Sequence, residues 1–279
     1  MRWPLKAVVL CAIPAFLAGP PGRADEPLWE AGVGIAGATF PAYRGSRQQR
    51  GFLVPIPYFV YRGDRLRVGR EGARGLIART SDFEVDVSAD AAIPVENTNE
   101  GPRAGMADLD PVVELGPSVV WRLRDDAIGR WTFRLPLRAA IATDLRSASH
   151  EGWILEPALG LDAPGLVGSW DFRFHAGLRF GARRYHAYYY DVGAADARPD
   201  RPVYHASDGY GGAVLQLGAS RRFGDTWAGF FVRYDDLRGA VFADSPLVET
   251  GHALSAGVAV SWILWQSSTR VPDAGPGRP

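Results

Sequence analysis

The strongest constraint on the fold is a run in which apolar and polar side chains alternate at every residue. Residues 83–92 read FEVDVSADAA, and similar alternation recurs in several later segments. A period of two residues is typical of a β-strand with one apolar and one polar face. The alternating segments are about ten residues long, which is the length of a tilted strand that crosses a bilayer. The pattern therefore predicts a membrane β-barrel whose apolar face points outward to lipid.

The first 24 residues have the three parts of a secretory signal peptide. Arg2 and Lys6 form a basic start, an apolar run follows, and a small-residue site ends at Ala24. We expect cleavage after Ala24. The only cysteine, Cys11, lies within the apolar run, so we expect a mature chain that has neither a disulfide nor a thiolate site.

Charge and hydropathy narrow the class of protein further. Without the three basic residues of the signal, 28 basic residues remain against 31 acidic ones, and the net charge is −3. This balance does not favour a nucleic-acid partner. Beyond the signal there is no apolar run of about 18 residues, so a helical membrane span is excluded and a closed barrel remains. We therefore predict the cell outer membrane as the location, outer-membrane lipid as surroundings, and no cofactor.

Turn signals divide the chain into an all-β antiparallel barrel of about twelve strands, with a range of 10 to 14. We predict the barrel over residues 25–265 and a disordered polar tail over residues 266–279. The predicted strands are residues 28–39, 52–62, 64–70, 74–80, 82–92, 112–124, 130–144, 152–162, 168–183, 209–222, 226–236 and 252–264.

The predicted connections alternate in length. Short ones lie near 63, 81, 125–129, 163–167 and 223–225, and longer ones at 40–51, 93–111, 145–151, 184–208 and 237–251. A brief connection at 71–73 is the exception. Outer-membrane barrels have short periplasmic turns and long outer loops, and an even number of strands places both termini on the periplasmic side.

Five tryptophans fall beside the predicted short turns. They are Trp121, Trp131, Trp170, Trp227 and Trp262. Tryptophan favours the membrane interface, because its ring is apolar and its edge is polar, so we predict a periplasmic aromatic rim. The alternative is that these rings pack the core of a soluble protein.

The polar face of the stronger strands carries charges of both signs, which we predict to face the lumen. These residues are Glu84, Asp86, Asp90, Glu114, Arg122, Arg134, Arg138, Asp171, Arg173, His175 and Arg179. If acids on strand 82–92 face arginines on strands 130–144 and 168–183, ion pairs would brace a narrow or plugged lumen. The alternative is that the same charges line a water-filled channel.

Few residues suggest chemistry. The five histidines have no metal-ligand spacing, and His205, Ser207 and Asp208 have the residue types of a hydrolase site only in a loop where these types recur by chance. We therefore predict neither a catalytic nor a metal site. The loop over residues 185–210 holds six tyrosines. It is either a binding surface or a segment that folds back to cap the barrel mouth.

Short motifs in consistent order give a family resemblance. They are residues 41–46 (PAYRGS), 55–63 (PIPYFVYRG), 105–111 (GMADLDP), 114–117 (ELGP), 135–138 (LPLR), 209–212 (GYGG) and 244–248 (DSPLV). With these motifs the chain resembles the MipA/OmpV family of outer-membrane proteins.

The resemblance implies a non-enzymatic outer-membrane barrel. The founding member of the family is a scaffold between the lytic transglycosylase MltA and a bifunctional penicillin-binding protein, so the implied function is a scaffold in peptidoglycan remodelling. OmpV-like members imply the alternative of a surface adhesin or immunogenic barrel, which would act through the loops at 93–111 and 184–208. A narrow solute channel is the third possibility.

Overall fold

The computed structural model describes residues 26–69, 72–92 and 101–271. The predicted signal peptide over residues 1–24 lies outside this part of the chain, as do residues 272–279. The fold, the candidate site and all contacts below refer to the described residues.

The fold is a closed antiparallel β-barrel of twelve strands, as predicted. Its wall follows the chain and closes where β14 pairs with β2, while β9 and β10 together form one interrupted strand. The wall strands are β2 (Trp29–Pro41), β3 (Gln49–Arg62), β4 (Leu66–Gly69), β5 (Gly72–Arg79), β6 (Phe83–Ala92), β7 (Val112–Asp125), β8 (Arg130–Thr143), β9 (Ala148–Leu155), β10 (Ala158–Val167), β11 (Trp170–Gly181), β12 (Gly209–Phe223), β13 (Thr226–Asp236) and β14 (His252–Gln266).

The break between β9 and β10 is a local irregularity in one long strand. Both segments pair with β8 on one side and with β11 on the other. Glu156 and Pro157 lie at the break, where Pro157 cannot donate a ladder hydrogen bond. The irregularity leaves Glu156 buried within the wall.

Two further short strands join the chain ends, and they define the two ends of the barrel. β1 (Glu26–Pro27) pairs with β15 (Arg270–Val271), so both described termini lie at the same end as the short turns. We call this end the terminal rim, and the opposite end, with the longer connections, the loop rim. The predicted disordered tail is wrong for residues 266–271, since Gln266 ends β14 and Arg270 pairs in β15.

The loop rim differs from the sequence prediction in two places. The long connection predicted at 145–151 is wrong, because β8 and β9 are joined by a turn over residues 144–147. The carboxylate of Asp144 accepts the N–H groups of Arg146 at 2.9 Å and Ser147 at 2.7 Å, which fixes this turn. At the terminal rim, the connection predicted at 163–167 lies within β10, because the turn to β11 occupies residues 168–169. The loop after β11 also contains an unpredicted helix, α1 (Arg183–Tyr190).

Side-chain burial alternates along the wall strands. On β7, Glu114, Ser118 and Val120 are buried, whereas Leu115 and Val119 are exposed. β14 follows the same rule, with buried residues at every second position. The exposed face of both strands is mostly apolar and the buried face is more polar, which suits a wall with lipid outside. No helix in the described part of the chain is long and apolar enough to cross a membrane.

Close packing of strands at the closing seam depends on a glycine. Gly32 on β2 lies against β14, and a Cβ atom at this position would overlap the backbone carbonyl of Trp262. The register between β14 and β2 also shifts between Ile263 and Trp265. A glycine is therefore required here because the two backbones approach too closely for a side chain.

The contacts between residues 26–29 and residues 267–271, which we call the clamp, predict that the extent of a C-terminal truncation decides how well the N-terminal residues are protected. Deleting residues 267–279 removes two backbone hydrogen bonds, Ser267 N–H to Trp29 O at 2.9 Å and Leu28 N–H to Thr269 O at 2.9 Å. Each bond stabilises the folded state by about 1 kcal/mol. We expect this variant to insert normally, as judged by heat-modifiable migration, but to lose its N-terminal residues to protease faster than wild type.

Deletion of residues 272–279 alone is the matched control, since it leaves β15 in place. Equal protease sensitivity of the two truncations would contradict a role for the clamp.

Candidate functional site: the capped barrel interior

The centre of the barrel holds a buried cluster of charged side chains around Arg179. Its guanidinium donates to Glu114, to Glu156 Oε2 at 3.0 Å and to the hydroxyl of Tyr185 at 3.1 Å. His175 lies 3.5 Å from the other oxygen of Glu156. Arg179 and Glu114 are 6% and 4% exposed. One guanidinium therefore pairs with two buried carboxylates, and its planar fork suits two partners.

The contact between Arg179 and Glu114 crosses the interior of the barrel. Arg179 lies on β11 and Glu114 on β7, and these strands are separated in the wall by β8 and the β9–β10 strand. A contact between strands that are not neighbours can form only through the lumen. The ion pair thus connects two parts of the wall that lie three strands apart.

A second buried ion-pair group lies towards the loop rim. Arg233 donates to both oxygens of Asp235, at 2.8 and 2.9 Å, and Arg44 Nε lies 2.9 Å from Asp235 Oδ1. The side chain of Asp235 is only 3% exposed. Since Arg44 belongs to the connection between β2 and β3, this carboxylate ties that connection to β13.

A third buried group lies near the terminal rim and is centred on Glu30, which is fully buried. Its carboxylate accepts from Arg62 at 3.1 Å, from Tyr58 at 3.3 Å and from Arg222. Glu30 is on β2 and Arg222 is on β12, with β13 and β14 between them in the wall. This pair also crosses the lumen.

The remaining predicted lumen residues have separate partners. Glu84 accepts from Arg79 at 2.9 Å, Arg173 donates to Asp162, and Arg138 lies 3.4 Å from Ser88 and 3.9 Å from Glu114. Asp86 is fully buried, and Arg122 and Arg134 are half-buried. Asp171 instead accepts the backbone N–H of Gly165 near a short turn, and Asp90 lies opposite Glu114 in the register of β6 and β7.

The loop rim is covered by a packed structure that we call the cap, comprising residues 42–48, 101–111, 182–208 and 237–251. Tyr185, Tyr189 and Tyr190 of α1 are buried against Val112, Ala140 and Ile154 of the wall and against Leu237 and Phe242 of the cap. The rings of Tyr190 and Phe242 stack at 3.8 Å between centroids. The tyrosine-rich loop is therefore a cap, and these rings are not available as a binding surface.

Tyrosine hydroxyls join the segments of the cap to one another. Tyr43 donates to Leu247 O at 2.6 Å, Tyr188 to Asp110 O at 3.0 Å and Tyr190 to Arg44 O at 2.9 Å. Arg103, 6% exposed, donates to Tyr189 O at 3.0 Å. These backbone carbonyls of the cap thus have side-chain donors.

His186 of α1 is buried in the cap without a charged partner. Its Nδ1 donates to Ser207 O at 2.8 Å, and its ring lies edge-on to Phe242 at 4.9 Å. Burial lowers the pKa of His186, which favours the neutral ring. The ring also fills the space beside Gly181 on β11.

The five tryptophans of the predicted aromatic rim do not all lie on the same face of the wall. Trp121 and Trp262 are exposed, Trp170 packs near Phe223 and Phe230, and Trp131 donates to Asp126 at 3.1 Å. Trp227 differs, because it is 3% exposed and packs inside the barrel. Its neighbours are Tyr58, Val60, Ala36, Ala259 and Ile263. Trp227 therefore fills the lumen near the terminal rim.

The residues with hydrolase-type chemistry in the tyrosine-rich loop are not joined to one another by the described contacts. His205 is exposed and lies 3.5 Å from Asp191, while Ser207 contacts His186 through its carbonyl oxygen, so the described contacts do not join His205, Ser207 and Asp208. Among the described residues there is also no group of three or more potential metal ligands. The interior is built from ion pairs and apolar packing.

The family of the chain follows from comparison with known proteins. A family model described as "MltA-interacting protein MipA" matches residues 33–264, which include all but a few residues at each end of the barrel wall. The chain belongs to the MipA family. Together with the closed barrel and its apolar outer face, membership identifies an outer-membrane β-barrel. A search of curated proteins finds no match.

Solved structures show only distant similarity. A bacterial polysaccharide outer membrane secretin is 12% identical and is matched over 85% of this chain and 99% of its own, with a TM-score of 0.41. The NanC porin is 12% identical and is matched over 83% of this chain and 100% of its own, with a TM-score of 0.38. The translocator domain of the autotransporter NalP from Neisseria meningitidis is 13% identical and is matched over 88% of this chain and 90% of its own, with a TM-score of 0.41. We carry no function of these proteins over to this MipA-family chain.

Sequence reasoning missed three acids that hold the interior together, Glu30, Glu156 and Asp235. The predicted pairing of β11 arginines with acids of β6 is wrong for Arg179, which pairs with Glu114 and Glu156 instead. One signal was available for Glu156, since a glutamate followed by a proline inside an alternating strand marks an irregularity. Glu30 and Asp235 carried no comparable signal.

The central ion pair predicts a large effect of one substitution. In R179M, Glu114 and Glu156 remain buried in the barrel without this guanidinium. Breaking a buried ion pair from one side destabilises a protein by about 3–5 kcal/mol. We expect R179M to lower the midpoint of denaturant unfolding in detergent micelles, as followed by tryptophan fluorescence.

R238M is the matched control, because Arg238 pairs with Asp236 while its side chain is 79% exposed. Exposed pairs contribute little to stability. Equal shifts for R179M and R238M would contradict a structural role for the central cluster.

The packing of His186 predicts that the cap is sensitive to one methyl group. In G181A the added Cβ would overlap the imidazole ring of His186, which cannot retreat because Ser207 and Phe242 hold it. Overpacking of this kind costs about 1–3 kcal/mol. We expect faster proteolysis within residues 182–208.

G193A is the control within the same loop, since a Cβ at Gly193 meets no atom within 4 Å. If both variants resist protease as wild type does, His186 does not fix the cap.

Proposed function

We propose that this MipA-family chain is a non-enzymatic scaffold that binds murein enzymes at its terminal rim, with that rim facing the periplasm. The proposal follows the family description, which names an interaction with MltA. On this proposal the chain anchors a lytic transglycosylase and a penicillin-binding protein at the outer membrane, so that cleavage and synthesis of peptidoglycan occur close together. Both described termini and the short turns would then lie on the periplasmic side.

The observation that carries the proposal is that buried groups occupy the interior at both rims and at its centre. The cap packs α1 against the inner ends of the wall at the loop rim. Ion pairs cross the lumen through Arg179 and Glu114, and through Arg222 and Glu30. Trp227 and its neighbours fill the space near the terminal rim. Buried groups at both rims and at the centre of the barrel support a function on the outer surfaces rather than in a wide aqueous pore.

The position of the tyrosines favours the terminal rim over the loop rim as the binding surface. An adhesin would present exposed aromatic rings at the loop rim, because tyrosine supplies rigid contact area. Three tyrosines of α1 are instead buried in the cap. At the terminal rim, Asp64, Asp82 and Asp225 are exposed in different turns. These turns offer charged contacts for a partner in the periplasm.

The dimensions of the barrel constrain how a partner binds. Twelve tilted strands form a ring about 24 Å across, so a flat disc over the terminal rim covers about 450 Å². A standard interface covers about 800 Å² on each partner. A stable partner must therefore contact most of the rim at once. Substitutions in two turns should consequently be more informative than a change in one.

The test is capture of partners from intact envelopes by cross-linking. We expect the wild-type chain to capture a lytic transglycosylase and a penicillin-binding protein. The double variant D82R/D225R should lose most of this capture, because it reverses two charges on opposite parts of the terminal rim.

The double variant D200R/D244R is the matched control, since both aspartates are exposed at the loop rim. It should capture both partners as wild type does. Recovery of no murein enzyme by the wild-type chain, or equal losses in the two variants, would refute the proposal.

A further inference from the structure

One part of the barrel wall is too short to span the membrane. β4 (Leu66–Gly69) has four residues, and its pairing with β3 covers only Tyr61 with Val68 and Arg62 with Arg67. Four residues extend about 13 Å, whereas the apolar band of an outer-membrane barrel is about 25 Å tall. Among the described residues, the rest of β3 from Gln49 to Val60 has a paired neighbour on the β2 side only.

The opposite side of this gap is β6. Its pairing with β5 ends at Ser88 with Arg74, so the last residues of β6 extend beyond the paired part of the short hairpin. The gap therefore lies between β3 and the upper part of β6, in the half of the wall nearer to the loop rim.

The hydrogen-bond pattern shows which backbone groups of β3 face the gap. Arg62 N–H donates to Leu28 O, and Ala42 N–H donates to Gln48 O, so at both ends of β3 the even-numbered residues bond towards β2. The register between β2 and β3 is continuous. Successive residues of a strand point their backbone groups to opposite sides. Odd-numbered residues, including Pro55 and Pro57, consequently face the gap.

The two prolines make this edge unsuitable for pairing with another strand. A proline has no backbone N–H, so a strand added here would lack two donors in the middle of its ladder. Natural proteins place proline on edge strands for this reason. The prolines also reduce the cost of the edge in lipid, because they remove two N–H groups that hydrocarbon cannot satisfy.

The edge lies at the depth of the hydrocarbon. Pro55 and Pro57 are six to eight residues from Gly63 in the terminal turn, which places them about 15–20 Å above the terminal rim for a strand tilted by 40°. The outward side chains around them are apolar, with Leu53 77% and Phe59 49% exposed. The molecules that meet this edge are therefore lipid chains.

The inner face of β3 is apolar and becomes accessible where the pairing stops. Tyr58 and Val60 are buried, whereas Ile56, Val54 and Phe52, which follow on the same face, are partly exposed. Apolar residues on the inner face of fully paired strands are buried, as for Val120 at 4% and Val214 at 1%. The change in exposure along β3 thus coincides with the gap.

We propose that the gap between β3 and β6 is a lateral binding site for the acyl chain of a membrane phospholipid. The chain enters between the two strands and lies against Ile56, Val54 and Phe52 on the inner face of β3. It covers the apolar surface that the short hairpin leaves open, and the prolines keep the edge from pairing with a protein strand instead. This site is independent of the scaffold function.

Bromine quenching in lipid nanodiscs tests the proposal. Single cysteines are introduced into the full chain with Cys11 replaced by serine, and each is labelled with bimane in the unfolded state before the chain is refolded into nanodiscs. The nanodiscs contain phosphatidylcholine with or without brominated acyl chains. In I56C the label should lose fluorescence in brominated lipid to an extent comparable with L53C, where the label faces lipid on the outer surface.

V120C is the matched control, since Val120 lies on the inner face of β7, which is paired on both sides. Quenching at Ile56 should exceed quenching at Val120 several-fold. V54C serves as a second variant if I56C fails the heat-modifiability test for folding. Quenching at both β3 positions no greater than at Val120 would overturn the proposal. A disulfide-linked dimer of L53C without quenching at Ile56 would also overturn it, because a second copy would then cover the edge.

Discussion

The fold depends on the need to satisfy backbone hydrogen bonds where no water is present. In hydrocarbon each unpaired N–H or C=O group costs several kcal/mol, so a sheet in the membrane must close on itself. Here closure is completed by β14 and β2, whose backbones meet at Gly32. Closure fixes which face of every strand points inward, and it forces polar and charged side chains into a confined interior. The ion pairs and the cap follow from this constraint.

The interior combines ion pairs at different heights with apolar packing at both ends. Buried ion pairs contribute little net stability, because desolvation offsets most of the attraction. Their value here is geometric: Arg179 and Arg222 each pair with an acid across the lumen, and these pairs form only when the wall has the correct register. The apolar clusters around Phe242 and Trp227 supply the packing that the charges do not.

The strands could be predicted from the sequence because lipid and lumen impose opposite requirements on alternate residues. The prediction of which side chains point inward failed where both faces of a strand carry similar residues. Around Trp227, the neighbouring Ala228, Phe230 and Phe231 leave no polar face, so the inward position of Trp227 could not be read from alternation. Polar residues near the start of β9 likewise resembled a loop, although they continue the strand to the turn at Asp144.

The cap could be anticipated only as one of two possibilities. α1 has eight residues and its N-cap, Ala182, makes no side-chain capping bond, so local sequence preferences do not specify the helix. It is held by contacts with distant residues such as Phe242 and Arg103. The gap beside β3 was also visible in the sequence only as one unusually brief connection, and its meaning depends on the pairing of β3 and β4.

The central claim is that the cap and the filled lumen close the interior to solutes. The most direct measurement is labelling of the single-cysteine variant S118C, in the Cys11-to-serine background, with fluorescein maleimide in detergent micelles. Ser118 is 2% exposed and lies on the inner face of β7. We predict that S118C reacts only after unfolding, whereas G193C in the exposed part of the cap reacts at once. Reaction of folded S118C at the rate of G193C would contradict a closed interior.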